Sequence, residues 1–421
     1  MSYHILNLRS VVAYVKSRTE AASLLDVTGV LAAQEISDGN LNAVFRVAEV
    51  SGPRSVLVKQ GLPYLRVAGE VWPLSQERAD FEARSLARQH AAAPGLVPRP
   101  LWHDHEMAVN VMEDLREHTV IRAPMIAGIR LENLGETIGR FLAATFYESS
   151  DFALGSTARR QLSAQFQNVE LCDLTEMLVL TEPFYPPPNR NAYLPELQKD
   201  LNDLQADAPL RTEVARLKHR FMTCGQALLH GDLHTGSIMA SAPDAQGLSN
   251  IRVIDSEFAF FGPMGFDIGL FLANLVLAAI SQAGHAPDPA ECQARHTFLR
   301  RQMRSCWTTF EAEFRQRLGS AQSPSWREGA FQDALLTSVL QDAAGYAGCE
   351  LIRRTVGFAH VLDYDSLQPD AARLSAGQQN LKLGRQLIMQ ASALRTYDEF
   401  EHAVWSELGY AALQPLQQGE T

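Results

Sequence analysis

The chain has 421 residues, with 37 Lys and Arg against 48 Asp and Glu, for a formal net charge of −11. That acidity argues against a nucleic-acid groove or an anionic membrane surface as the main partner, yet leaves room for phosphorylated ligands, which need only a few placed cations. The length predicts two lobes rather than one core, and 46% hydrophobic with 20% charged residues is an ordinary globular balance.

The five cysteines (Cys172, Cys224, Cys292, Cys306, Cys349) are scattered without a Cys-x-x-Cys pair. Neither a zinc site of that kind nor a disulfide framework is expected, and a reducing cytoplasm fits. No signal-peptide apolar core opens the sequence. The longest apolar run, Ile268 to Ile280, contains Asn274 and falls short of the ~20 residues that span a bilayer, which predicts a core helix.

In chain order, Val12, Val15 and Leu24–Leu25 among polar residues predict an amphipathic helix over 9–25. Gln34–Ile36 leads into the turn-forming Ser37–Asp38–Gly39–Asn40–Leu41–Asn42. Val44–Val47 then alternate, and past Ser51–Gly52–Pro53 comes Val56–Leu57–Val58–Lys59. These read as strands of a small antiparallel sheet, the last ending in lysine. The glycine turn invites a phosphate-cradling reading, but it is neither Gly-x-Gly-x-x-Gly nor a Walker loop, and a hairpin is the commoner use of such residues.

Gln76 to His90 predict a helix whose inward stripe is Ala79, Glu82, Ala83 and Leu86. A carboxylate on that stripe needs a partner, for which Lys59 is the nearest candidate; snorkelling to solvent is the alternative. Val97–Trp102 and Met107–Met112 read as strands, the second leading to Glu113–Asp114–Leu115. From about Leu131 the period is helical. Thr181–Asn191, with four prolines, is a long loop, either over a substrate site or a plain linker. Helices are predicted at 210–226, about 290–318, 326–362 and 371–405, with a frayed tail from Gln414 to Thr421.

Two apolar runs break into polar clusters at the centre. Ala227–Leu229 delivers His230, Gly231 and Asp232; Ile251–Ile254 delivers Asp255 and Glu257. Their tips, with turn residues Ser241 to Asn250 between, are expected to form a hairpin-like pair that gathers three carboxylates. Buried carboxylates repel unless a cation joins them, which points to a divalent metal, although ordinary strand ends with solvated acids would look alike. Strand alternation would turn Asp255 and Glu257 to one side.

His230, Asp232 and His234 could instead ligate zinc. Such sites draw further histidines or cysteines, and others such as His103 and His105 fall in the presumed sheet lobe. Asp267, opening the apolar helix, is explained by N-capping. Arg353 and Arg354, adjacent in an apolar helical segment, diverge by about 100°, so at most one is expected to face a given ligand.

Small sheet with glycine turn, Lys59, Glu82, hinge, His-Gly-Asp and Asp-x-Glu, in that order, resemble the kinase-like phosphotransferases typified by aminoglycoside phosphotransferases and choline kinase. Asp38–Phe45, Val111–Leu115, His230–Ile238, Asp255–Phe260, Gly262–Gly269 and Ala347–Arg354 look most like the methylthioribose kinases, and they run from residue 38 to 354. The resemblance implies an α+β, two-lobe protein-kinase-like fold. Residues 1–115, with the N-terminal helix, would be the antiparallel-sheet nucleotide-binding lobe, and 116–421 the larger, mainly helical catalytic and substrate-binding lobe.

It further implies Mg²⁺-assisted transfer of the ATP γ-phosphate to the anomeric hydroxyl of S-methyl-5-thioribose, in methionine salvage, by a cytoplasmic homodimer. Asp232 would be the base or substrate-orienting group, and Asp255 and Glu257 the metal acids. Asn42, Lys59, the 113–115 hinge (Glu113, Asp114, Leu115), Asp255, Ser256 and Glu257 would meet the nucleotide. Arg353 and Arg354 would meet the sugar, with Glu82, His230 and Asp267 in support.

Ser237 stands where wider kinases carry a metal-binding asparagine, and Glu257 where they carry glycine. Both departures match the methylthioribose kinase pattern; Ser256, in place of its usual proline, does not. The alternatives are a related kinase of a sugar, choline or an aminoglycoside, or a non-catalytic nucleotide-binding protein.

Overall fold

In the computed structural model, residues 3–36, 41–65 and 69–409 are described. The glycine turn Ser37–Asn40 and the predicted tail Gln414–Thr421 lie outside them. Strands β1 (Leu31–Glu35), β2 (Asn42–Glu49), β3 (Ser55–Gly61), β6 (Pro100–Asp104) and β7 (Val109–Glu113) form an antiparallel sheet in the order β1-β2-β3-β7-β6. A separate hairpin, β4 (Tyr64–Leu65) and β5 (Gly69–Pro73), follows β3.

Alternation assigns the two faces of the sheet. Val56, Val58, Val47 and Val111 pack with Val11, Tyr14 and Val15 of α1 (Leu8–Lys16). The opposite face, carrying Lys59, meets α2 (Arg78–Ala92). The first helix is shorter than the pattern predicts: it stops at Lys16, and a separate 3₁₀ turn, Glu20–Ser23, buries Ala21.

Beyond β8 (His118–Val120) the chain is mainly helical. Helices α3 (Arg122–Ile126), α4 (Leu134–Ser149), α5 (Asp151–Leu154), α6 (Ser156–Ala164), α7 (Val169–Leu178), α8 (Gln198–Ala206) and α9 (Ala208–Thr223) lead to β9 (Ala227–Leu228). After β10 (Ile238–Ser241), β11 (Ile251–Val253) and β12 (Phe261–Gly262) come α10 (Gly265–His285), α11 (Pro289–Leu318), α12 (Gly329–Val356), α13 (Leu362–Asp365), α14 (Asp370–Gln390) and α15 (Tyr397–Glu407). The helix predicted over 371–405 is two, because Thr396 starts α15 with its own capping box.

The two central apolar runs do not pair with each other. β9 pairs with β12, whereas β11 pairs with β10, which also carries β8. The chain doubles back after Asp232 and returns as β10, so that the Ser241–Asn250 turn joins β10 to β11. The carboxylates are gathered by two small sheets, not one hairpin.

Helix α10 is the core helix expected: long and apolar enough to cross a membrane, but with 94% of its most apolar stretch buried. It approaches α12 so closely that a Cβ on Gly269 would stand 2.6 Å from the Ala343 carbonyl oxygen. A Gly269→Leu variant should therefore lose about 1–3 kcal/mol, the usual cost of overpacking, in urea unfolding. An unchanged midpoint would contradict this helix contact.

Candidate active site

The turn after β9 is held from below. Asp267, in the first turn of α10, accepts the His230 N–H at 2.6 Å and the Gly231 N–H at 2.9 Å. It is fully buried, and burial pushes its pKa up to about 6 against the pull of His230 and the two amides. Asp267 therefore braces the loop and does not cap its own helix. Gly231 has φ +84°, and a Cβ there would lie 2.2 Å from the Phe258 carbonyl oxygen, so only glycine fits.

His230 Nε2 donates to the Ile254 carbonyl at 2.8 Å, which ties this loop to β11, while its Nδ1 faces the Asp232 N–H at 3.3 Å. Ser237 Oγ donates toward the Asp232 and His234 carbonyls, 2.8 and 2.9 Å away, closing the loop. Its hydroxyl is a loop clasp here.

Asp232 Oδ2 is 3.3 Å from His234 Nε2. The Gly236 N–H donates to His234 Nδ1 at 2.9 Å, so Nδ1 is the acceptor and Nε2 carries the proton that faces Asp232. Burial lowers the His234 pKa despite Asp232, which keeps the ring neutral. With each ring nitrogen of His230 and His234 so engaged, the zinc reading of that triple has no support. Burial works against charge on Asp232, but His234, Arg354 and Arg353 outweigh it and hold the carboxyl well below the usual range.

The two arginines overturn the expectation that only one can face the site. Arg353 and Arg354 each bring an Nη2 to 3.9 Å from the same oxygen, Asp232 Oδ1. The cause is Glu350, fully buried one turn earlier, which accepts from Arg353 Nε at 2.5 Å and from Arg354 Nε at 2.8 Å. Positions i+3 and i+4 both neighbour a helical residue, and long side chains close the remaining angle. Arg122 joins this wall, pairing with Asp363 at 3.0 Å and lying 3.4 Å from His234 Nδ1.

Lys59 reaches across the cleft. Its Nζ is 2.7 Å from Glu82 Oε1 and is also hydrogen-bonded to Asp255 Oδ1. Burial would lower the Lys59 pKa, but Asp255, Glu82 and Glu257 outweigh it and keep the ammonium charged. Asn110 steadies the pair by donating to Glu82 Oε2 at 3.0 Å.

Asp255 and Glu257 do not sit on a strand. β11 ends at Val253, Asp255 adopts the left-handed φ +72°, and Ser256–Phe258 is a 3₁₀ turn, so the alternation argument fails. Asp255 is about half exposed at 47%, whereas Ser256 and Glu257 are buried. Glu257 accepts from Asn42 Nδ2 at 3.2 and 3.0 Å and lies 3.3 Å from Arg78 Nε. Burial pushes its pKa up to about 7, with Lys59 pulling the other way. A half-exposed carboxylate beside a buried one whose charge is poorly compensated is a hard-oxygen set suited to a divalent cation.

At the hinge, Asp114 Oδ2 accepts from Arg46 Nε at 2.7 Å and from Ser55 Oγ at 2.6 Å. The Glu113 N–H bonds the Arg99 carbonyl at 2.9 Å, and its carboxylate accepts the Arg99 N–H at 3.0 Å. The Leu115 carbonyl accepts from His118.

Sequence reasoning did not single out Arg78, Asn110, Arg122 or Glu350 as site residues, and it weighed His234 only as a zinc ligand. Arg78, four residues before Glu82 on α2, and Glu350, three and four before the arginines, were detectable by helical spacing. Asn110 and Arg122 carried no such signal.

The sheet, hinge and helical lobe around these acids define a kinase-like phosphotransferase. The sequence model of the phosphotransferase enzyme family matches residues 32–306. Methylthioribose kinase of Geobacillus sp. (strain WCH70) is 41% identical over 371 residues, 88% of each chain. That of Bacillus cereus (strain G9842) is 39% identical over 395 residues, 93% of this chain and 94% of its own. The chain belongs to the phosphotransferase enzyme family and, within it, to the methylthioribose kinases. Among solved structures it is similar to a spectinomycin phosphotransferase, at 12% identity and TM-score 0.42, covering 93% of this chain and all of that one. It is also similar to an ethanolamine kinase of Plasmodium vivax, at 13% identity and TM-score 0.41, covering 98% and 90%.

Burial would raise the Glu350 pKa, but Arg353 and Arg354 bring it down to about 2 from its ordinary 4.5. A depressed carboxylate stabilises the fold fully above the ordinary value and loses that contribution as pH falls through the folded one. Glu350→Gln should therefore cost about 3–5 kcal/mol at neutral pH, as for a broken buried pair. Its stability should also fall less steeply than wild type between pH 4.5 and 2 in urea unfolding. Identical pH slopes would contradict this role.

Proposed function

We propose that this chain transfers the γ-phosphoryl group of ATP to the anomeric hydroxyl of S-methyl-5-thioribose, yielding the 1-phosphate within methionine salvage. The observation that carries the substrate choice is the charge balance around Asp232. Three guanidiniums (Arg122, Arg353, Arg354) stand against three carboxylates (Asp232, Glu350, Asp363). Among the described residues these charges cancel, which leaves no excess negative charge to attract a cationic choline or aminoglycoside, whereas guanidinium N–H groups can bond neutral sugar hydroxyls. The names of the relatives support the same choice.

Residues 1–115 act as the nucleotide lobe and 116–421 as the catalytic lobe; the pairing of β8 with β10 supports a boundary after Leu115. Lys59, held by Glu82, meets the phosphates, and the 113–115 backbone meets adenine. Asn42 and Ser256 border the nucleotide, Asn42 by orienting Glu257. Asp255 and Glu257 would hold Mg²⁺, which when bound neutralises charge on the β- and γ-phosphates.

Asp232 accepts the hydrogen of the attacking hydroxyl. Its depressed pKa keeps it ionised but makes it a weak base, so it chiefly orients the nucleophile and takes the proton late, as suits a loose transition state. The His234 Nε2–H and the two arginines fix the carboxylate. The enzyme is cytoplasmic and homodimeric, by its likeness to the methylthioribose kinases; sedimentation of the purified protein at twice the chain mass tests the second point.

Three measurements check this reading. ATP turnover should be seen with methylthioribose and fall to background with choline and aminoglycosides, ribose being intermediate; equal turnover of a cationic substrate would contradict it. Asp232→Asn should lower kcat about 10²–10⁴-fold, with a smaller change in KM for ATP. Glu257→Gln should weaken Mg²⁺ binding, so that activity falls and needs more Mg²⁺, and full activity at the wild-type Mg²⁺ concentration in that variant would remove Glu257 from the metal site.

A further inference from the structure

A second group of metal-ligand residues lies at the outer edge of the sheet. Asp80 is in the first turn of α2, His103 is in β6, and His105 follows directly after that strand. Asp80 Oδ1 is 2.6 Å from His103 Nε2, and Asp80 Oδ2 is 2.8 Å from His105 Nδ1. One ligand atom from each of the three lies within 4.8 Å of the other two.

The His103 ring is set from the interior. Its Nδ1 is 2.7 Å from Asn110 Oδ1 and 3.2 Å from the Val109 carbonyl. Asn110 is buried, and its Nδ2 donates to the Ala79 carbonyl and to Glu82 Oε2. The amide oxygen is therefore the acceptor, and Nδ1 carries the proton. In the neutral ring, Nε2 then turns a lone pair toward a carboxylate 2.6 Å away, which calls for a second proton or a cation. An inner acceptor that orients a ring whose outer nitrogen meets a carboxylate is the arrangement that supports metal-binding imidazoles.

The surroundings favour a cation. Glu77 and Glu106 line the same open cavity of about 660 Å³ as Asp80 and His105. Among the described residues, the cationic groups within ion-pairing distance of Asp80 are the two imidazoles.

We propose that Asp80, His103 and His105 bind a divalent transition-metal ion of the zinc, cobalt or nickel class, at a site apart from the cleft. Two imidazoles and one carboxylate leave an outer position for water and suit these ions better than Mg²⁺, which prefers oxygen throughout. Bound there, the ion ties the first turn of α2 to the end of β6. Through Asn110 the site is linked to Glu82 and so to Lys59, and occupancy rigidifies the helix that positions the phosphate-facing lysine.

The test uses the full chain stripped with a chelator, with Mg²⁺ in excess to occupy the oxygen donors of the cleft. Zn²⁺ and Co²⁺ are titrated by calorimetry, and Co²⁺ also by visible absorption. One equivalent should bind and raise the melting temperature. His105→Ala, an exposed position at which the fold tolerates truncation, should bind at least about tenfold more weakly, with no rise in melting temperature. Asn110→Ala should weaken binding roughly 10–100-fold, the usual effect of losing an outer hydrogen bond. Binding by wild type that matches a His103→Ala/His105→Ala double variant in stoichiometry and affinity, or no binding by wild type, would overturn the proposal. None of these readouts depends on turnover.

Discussion

Lys59 is the charged link between the N-terminal sheet and the acids that follow β11. It leaves the middle strand of the sheet, takes Glu82 from the helix behind it, and crosses the cleft to Asp255 at the end of β11. Without that ammonium, Glu82, Asp255 and Glu257 would face one another in a confined space, where ionised carboxylates raise each other's pKa. The surrounding devices distribute the same problem. Arg78 and Asn42 address Glu257, and Asn110 addresses the second oxygen of Glu82.

The far side of the cleft meets an analogous demand differently. Asp232 is kept ionised by a neutral histidine and two arginines, and the arginines are themselves fixed by Glu350. A buried acid thus orients two cations, which orient Asp232, the acid proposed to meet substrate. A network of this kind costs desolvation and returns geometry. The close packing of α10 and α12 matters for the same reason, since one helix carries Asp267 under the catalytic loop and the other carries Glu350, Arg353 and Arg354.

Much of this was readable in the residues. The sheet, the Lys59–Glu82 pair, the core helix and the two acid clusters follow from apolar period, turn residues and the need to compensate buried charge. Where the reading failed, geometry unavailable to a local pattern was the cause. The apolar runs before Asp232 and Asp255 looked like partners because nothing local shows the chain doubling back as β10. Strand alternation was carried two residues too far, past the left-handed turn at Asp255. Adjacent arginines were judged by Cα direction alone, whereas Glu350 draws both long side chains to one point. Asp114 lies within the hinge, yet its carboxylate serves Arg46 and Ser55, contacts between strands distant in sequence.

The central claim is that this cleft positions the anomeric hydroxyl of a neutral thiosugar, through Asp232, for in-line attack on the γ-phosphate of ATP. The most direct measurement is phosphorus and carbon NMR of the product formed from ATP and methylthioribose. The account predicts one phosphate ester, at C1, formed by the wild type and absent with Asp232→Asn. Phosphate on another hydroxyl, release of inorganic phosphate alone, or C1 ester formed undiminished by Asp232→Asn would contradict it.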